Sequence, residues 1–125
     1  MGRILSLILL AVLTLGLAAC RPASESQPEL IYYNVTYSVT ATAATANIEF
    51  IKESGHHKEV FNATIPWSDI VEIIEGNLAY LSATSNQAAS TITVTITYDE
   101  GILLDTATNG PGDFLTATAM GYLPE

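Results

Sequence analysis

The segment Thr91-Ile92-Thr93-Val94-Thr95-Ile96-Thr97-Tyr98 alternates without a break between threonine and a large apolar residue. A period of two places every apolar side chain on one side of an extended chain, whereas a helix would scatter the same residues around its circumference. A second run obeys the same rule. Ile31, Tyr33, Val35, Tyr37 and Val39 fall on one face, and Tyr32, Asn34, Thr36, Ser38 and Thr40 on the other. Both segments are predicted as half-buried antiparallel strands, with threonine supplying β propensity on the wet face. Because Tyr32 and Tyr33 are adjacent, one of them must face outward.

Weaker strand candidates are Thr45–Lys52 (Ala46, Ile48 and Phe50 inward), Lys58–Ile65, Leu78–Thr84, Ile102–Thr106 and Phe114–Met120. Glu53-Ser54-Gly55-His56-His57 and Asp99-Glu100-Gly101 have the composition of hairpin tips, with positive φ expected at Gly101. Asn86-Gln87 and Asn109-Gly110-Pro111-Gly112 are expected to be longer polar connections. The fold class implied is all-β, a small antiparallel sandwich of seven or eight strands over residues 30–125. One window is ambiguous. Trp67, Ile70, Val71 and Ile74 recur at helical spacing, with Ser68 as a fair N-cap and Gly76 as a fair terminator. The same window is rich in β-branched residues, so Ser68–Glu75 fits helix or strand on its residues alone.

The N-terminus speaks to location. Arg3 is followed by the almost wholly apolar stretch Ile4–Leu17, with no further charge until Arg21. That stretch is shorter than the roughly 20 apolar residues that span a bilayer, and its layout is that of a secretory signal. It ends in Leu17-Ala18-Ala19-Cys20, which resembles the lipobox of bacterial lipoproteins. The resemblance implies a diacylglyceryl thioether on Cys20, cleavage after Ala19 and an acylated, palmitate-type anchor. Cys20 is the sole cysteine, so it has no intramolecular disulfide partner. Residues 1–19 are therefore expected to be a signal peptide, and residues 20–29 a lipidated cysteine with a flexible tether. Such a tether reaches at most about 30 Å. The expected location is the extracytoplasmic face of a membrane, with the bilayer as the first partner, held through Cys20.

Beyond the leader, Arg21, Lys52 and Lys58 are the only basic residues against thirteen acidic ones. That balance excludes nucleic acid, which requires a Lys/Arg surface, and disfavours electrostatic attachment to anionic lipids.

The strand motifs resemble the soluble domain of the MmpS family, small membrane proteins that serve transport. The resemblance rests on Val35-Thr36-Tyr37-Ser38-Val39-Thr40, Ala46-Asn47-Ile48-Glu49-Phe50, Pro66-Trp67-Ser68 and Leu78-Ala79-Tyr80-Leu81-Ser82-Ala83. It continues through Ile92–Gly101 and Ala117-Thr118-Ala119-Met120-Gly121. It implies an immunoglobulin-like sandwich, a strand at Ser68–Glu75 and accessory work beside a resistance-nodulation-division exporter. This chain departs from the family in carrying a lipobox in place of a membrane-spanning helix. It also lacks the hairpin-strand cysteine of many relatives, with Thr93, Thr95 and Thr97 there instead.

No catalytic constellation is visible. His56-His57, near Glu53 and Glu59, lacks a third ligand at metal spacing and reads as a solvated hairpin tip. Asp99, Glu100, Asp105 and Asp113 lack the spacing of a calcium loop. No enzyme activity, metal or cofactor is expected. Trp67 has two readings: a core residue, or part of an exposed aromatic patch with Tyr80 or Tyr122 for a partner. The expected function is a membrane-anchored, non-catalytic interaction domain for an envelope protein such as a transporter. The alternative is a sandwich that takes a hydrophobic ligand or lipid between its sheets.

Overall fold

The computed structural model describes residues 29–125. The residues expected to form a signal peptide and lipobox, Cys20 included, lie outside the described residues. Eight strands follow in order: β1 (Tyr32–Ala41), β2 (Thr45–Ile51), β3 (His57–Thr64), β4 (Trp67–Ile74), β5 (Leu78–Ser85), β6 (Ser90–Tyr98), β7 (Ile102–Gly112) and β8 (Thr116–Tyr122). A 3-10 turn at Glu53–Gly55 joins β2 to β3. The first sheet has the order β4-β1-β6-β7 and the second β3-β2-β5-β8, with every pairing antiparallel. The architecture is the expected all-β sandwich, with eight strands.

The alternating residues fill the space between the sheets. Val35, Tyr37, Val39, Ile92, Val94 and Ile96 point inward from the first sheet; Ala46, Ile48, Phe50, Ala79, Leu81 and Ala83 meet them from the second. All are buried. Tyr37 ties the two layers together. Its ring packs on Phe50 at 5.4 Å between centroids, and its hydroxyl crosses to the second sheet to donate to the Ile51 carbonyl at 2.7 Å. The same oxygen accepts from the Tyr80 amide at 3.4 Å. A second polar tie joins the hydroxyls of Ser85 on β5 and Ser90 on β6, which also bond the Gln87 carbonyl.

The ambiguous window resolves as strand. All eight residues of β4 pair with β1, from Tyr32↔Ile74 to Val39↔Trp67. The helical spacing of Ile70 was fortuitous, because Ile70 faces outward and is 66% exposed while Val71 and Ile73 are buried. One expected connection is corrected. Asn109-Gly110-Pro111-Gly112 belongs to β7, where a bulge sets Gly110 and Pro111 against Thr91. Gly110 adopts φ 120°, and a Cβ there would sit 2.5 Å from the Ser90 carbonyl oxygen. The Gly-Pro pair serves a bulge inside the strand in place of a connection. At the β6–β7 tip, Gly101 has the expected positive φ of 88°, and Asp99 shares it at 50°.

The topology is internally symmetric. Adding four to each strand number turns the order β4-β1-β6-β7 into β8-β5-β2-β3, the second sheet reversed. One bulge in each half obeys the same relation: Asn47 faces two residues, Phe61 and Asn62, as Thr91 faces Gly110 and Pro111, while a second bulge of β7 at Leu104 has no counterpart in β3.

The sheet edges β7 and β8 are stitched together by side chains. Asp105 Oδ2 accepts from the Met120 amide at 2.9 Å, and Asn109 Nδ2 donates to the Thr116 carbonyl at 3.0 Å. On the opposite edge, Asp69 Oδ1 accepts from the Ile70 amide at 2.9 Å. Edge amides that could template another strand are thus occupied at both β4 and β8.

Burial pushes the Tyr37 hydroxyl up to about 12, against a smaller lowering by the hydrogen bond from the Tyr80 backbone. A folded-state value above the unfolded one means that this group's contribution is intact below about pH 10 and is lost as pH climbs toward about 12. Tyr37→Phe is expected to cost about 1–3 kcal/mol in urea unfolding at neutral pH. The same variant should lose part of the alkaline destabilisation between about pH 10 and 12.

Candidate functional site

The chain enters the sandwich at the start of β1, and the end of the sandwich that receives it is built from four converging segments. These are the entering residues, the β2–β3 turn, the β4–β5 turn and the β6–β7 tip, with the C-terminus beside them. Backbone bonds tie them into one surface. The Glu75 amide donates to the Ile31 carbonyl at 2.8 Å, the Gly76 amide to Leu123 at 3.1 Å, and the Asp99 amide to Asn34 at 2.8 Å.

Apolar side chains are exposed at this end: Leu30 (59%), Ile31 (51%), Tyr32 (57%), Ile102 (51%) and Leu103 (58%). Tyr32 is the outward member of the tyrosine pair. Tyr33 turns inward and meets Tyr98 edge-on at 5.4 Å. Exposed carboxylates lie at this end, Glu53, Asp99, Glu100 and Glu125, outnumbering the half-buried Lys52 of the β2–β3 turn. The outer face of the first sheet away from this end has a different character. There Thr93 pairs with Thr108 and Thr95 with Thr106 through hydroxyl hydrogen bonds of 2.8 and 3.1 Å.

The three residues proposed as an aromatic patch separate. Trp67 lies on the first sheet, half-buried against the core, with its ring 5.2 Å from Phe50. Tyr80 and Tyr122 lie on the outer face of the second sheet, where Tyr80 pairs with Met120 and Leu78 with Tyr122. Tyr80 is partly covered, whereas Tyr122 is 71% exposed. Trp67 therefore packs against the core, and of the three only Tyr122 is largely exposed.

His57 is corrected from a loop residue to the first residue of β3. Its Nδ1 lies 2.9 Å from Glu49 Oε1 on β2, and its ring rests 5.8 Å from that of Tyr80. Among the described residues no three His, Cys, Asp or Glu side chains converge as a metal site would require. Asp113 accepts from the Ala89 amide at 2.8 Å and so closes the β5–β6 loop.

Sequence reasoning missed a groove on the outer face of the second sheet, lined by Asn47, Glu49, Glu59, Phe61, Ser82 and Thr84 and enclosing about 140 Å³. One signal was present. Val60 and Phe61 are adjacent in a strand, so one apolar side chain had to face water, and Phe61 is 69% exposed. Asn86 braces the groove from the side. Its Nδ2 donates to Asn62 Oδ1 at 3.0 Å and to Asn47 Oδ1 and Thr45 Oγ1 at 3.3 Å.

No protein-family model matches the chain, and no curated protein matches it.

Asn86→Ala should lower stability by about 1–2 kcal/mol, since it removes the side-chain hydrogen bonds to Thr45, Asn47 and Asn62 that brace the groove. The unfolding midpoint in urea measures the loss, and the spectrum of the folded state should change only around Thr45, Asn47 and Asn62.

Proposed function

We propose that the chain is a lipid-anchored extracytoplasmic lipoprotein whose sandwich is a non-catalytic docking domain for a membrane protein of the cell envelope. The observation that carries this reading is the placement of the exposed apolar residues. Leu30, Ile31, Tyr32, Ile102 and Leu103 gather at the end where the chain arrives from Cys20. A tether of at most about 30 Å keeps that end beside the bilayer, where a membrane protein's projecting surface is in reach.

Charge narrows the partner. Glu53, Asp99, Glu100 and Glu125 around the apolar residues repel anionic head groups and favour an apolar surface bordered by lysine or arginine. The resemblance of the strand motifs to the MmpS family, which no family-model match accompanies, makes an exporter the partner we propose. The alternative of a hydrophobic ligand between the sheets has less support, because Tyr37, Phe50, Leu81, Ile92 and Ile96 already occupy that layer with under 2% exposure.

Two results are expected in the producing cell. Metabolic labelling with a clickable palmitate marks the full chain and disappears in Cys20→Ala; persistent labelling contradicts the anchor. A photo-crosslinking residue at Tyr32 or Leu103 gives an adduct with one integral membrane protein, and the same residue at Thr95 or Thr108 does not. Equal adducts from both sets contradict the docking end.

A further inference from the structure

The register of the second sheet arranges the groove residues as a lattice. Phe61, Asn47, Thr84 and Thr116 form one row across the strands, and Glu59, Glu49, Ser82 and Thr118 the next. With strands about 4.8 Å apart and alternate residues about 7 Å apart, the six lining side chains cover roughly 10 Å by 7 Å. This is the footprint of one pyranose ring with its substituents.

The polar side chains are held in place by neighbours outside the groove. Ser82 Oγ is bonded to Thr118 Oγ1 at 3.0 Å and Thr84 Oγ1 to Thr116 Oγ1 at 2.7 Å. Asn47 Oδ1 accepts from the Asn62 amide at 3.0 Å, and Glu49 is oriented by His57. Each hydroxyl engages one neighbour and has further donor or acceptor capacity, and the Asn47 side-chain amide adds two N–H donors to the lining. Preorganised groups of this kind lose little entropy when a ligand arrives.

The chemistry of the lining selects the ligand class. Vicinal hydroxyls donate and accept at once, so they suit a mixture of carboxylate and amide acceptors with serine and threonine hydroxyls. Phe61 offers an exposed apolar ring face for the C–H face of a sugar. Glu49 and Glu59 stand directly opposite each other, which rejects anions and penalises a purely apolar ligand. We propose that this groove binds a hexopyranose unit of a glycan chain. Phe61 stacks on the ring, Glu49 and Glu59 accept from its hydroxyls, and Asn47, Ser82 and Thr84 fix its orientation. Tyr80 and Tyr122, toward the chain-entry end of the same face, extend the surface for neighbouring sugar units. The site is independent of the anchor and of the docking end.

The test is a titration of the nitrogen-labelled full chain, in dodecylphosphocholine micelles, with chitotetraose and with its de-N-acetylated form. Saturable amide shifts are expected at Asn47, Glu49, Ser82 and Thr84, with a Kd on the order of 1 mM. Phe61→Ala and Glu49→Gln, both at exposed or half-exposed positions, should each weaken binding by about tenfold with the folded spectrum retained. Thr93→Ala, on the outer face of the other sheet, should leave it unchanged. Absence of a saturable shift with either sugar overturns the proposal, as does unchanged binding by Phe61→Ala. Binding restricted to the amine-bearing sugar and abolished by moderate salt also overturns it, because that is charge attraction without sugar recognition.

Discussion

The hydroxyl of Tyr37 fixes how the two sheets meet. A sandwich held only by apolar burial can slide or rotate between similar packings, because hydrophobic contact has little directionality. A buried phenol that bonds the Ile51 carbonyl and the Tyr80 amide on the facing sheet removes that freedom. Phe50 and Trp67 extend the constraint laterally as a chain of rings from Tyr37 to β4. Everything functional on the surface inherits its position from this layer. The end that receives the chain is one continuous surface only because the turns of both sheets come level there.

The fixed frame separates three surfaces of different chemistry. The chain-entry end is apolar within an acidic border. The outer face of the first sheet is a ladder of paired threonines. The outer face of the second sheet carries amides, carboxylates and hydroxyls between aromatic rings. At the sheet edges, Asp69 and Asp105 each cap one amide, on β4 and β8, that could otherwise pair with a further strand.

Much of the fold was legible because strand period and burial coincide. β1 and β6 follow from alternation alone, and the inward assignment of Ala46, Ile48 and Phe50 holds residue by residue. β4 could not be settled locally, since Trp67 and Val71, four residues apart, satisfy both periods while Ile74 fits only the helix and Ile73 only the strand; pairing with β1 decides it. β7 was read too short because Gly110 and Pro111 serve as a bulge, a distinction that depends on Thr91 across the ladder. The candidate site was less accessible still. His57 with Glu49, Asn86 with Asn62 and Ser82 with Thr118 join residues far apart in the chain, and composition carries no trace of such pairs. The fourfold strand relation between the two halves is likewise a property of topology, with no matching repeat of residues.

The proposed docking turns the chain-entry end toward the bilayer and the threonine ladder away from it. Paramagnetic relaxation from a head-group nitroxide measures this directly when the acylated chain is reconstituted in nanodiscs. Strong broadening is expected at the amides of Ile31, Tyr32, Glu75, Glu100 and Leu103, with Thr45, Ala89, Thr93 and Asp113 little affected. Uniform broadening across the domain, or broadening strongest at Ala89 and Asp113, would contradict it.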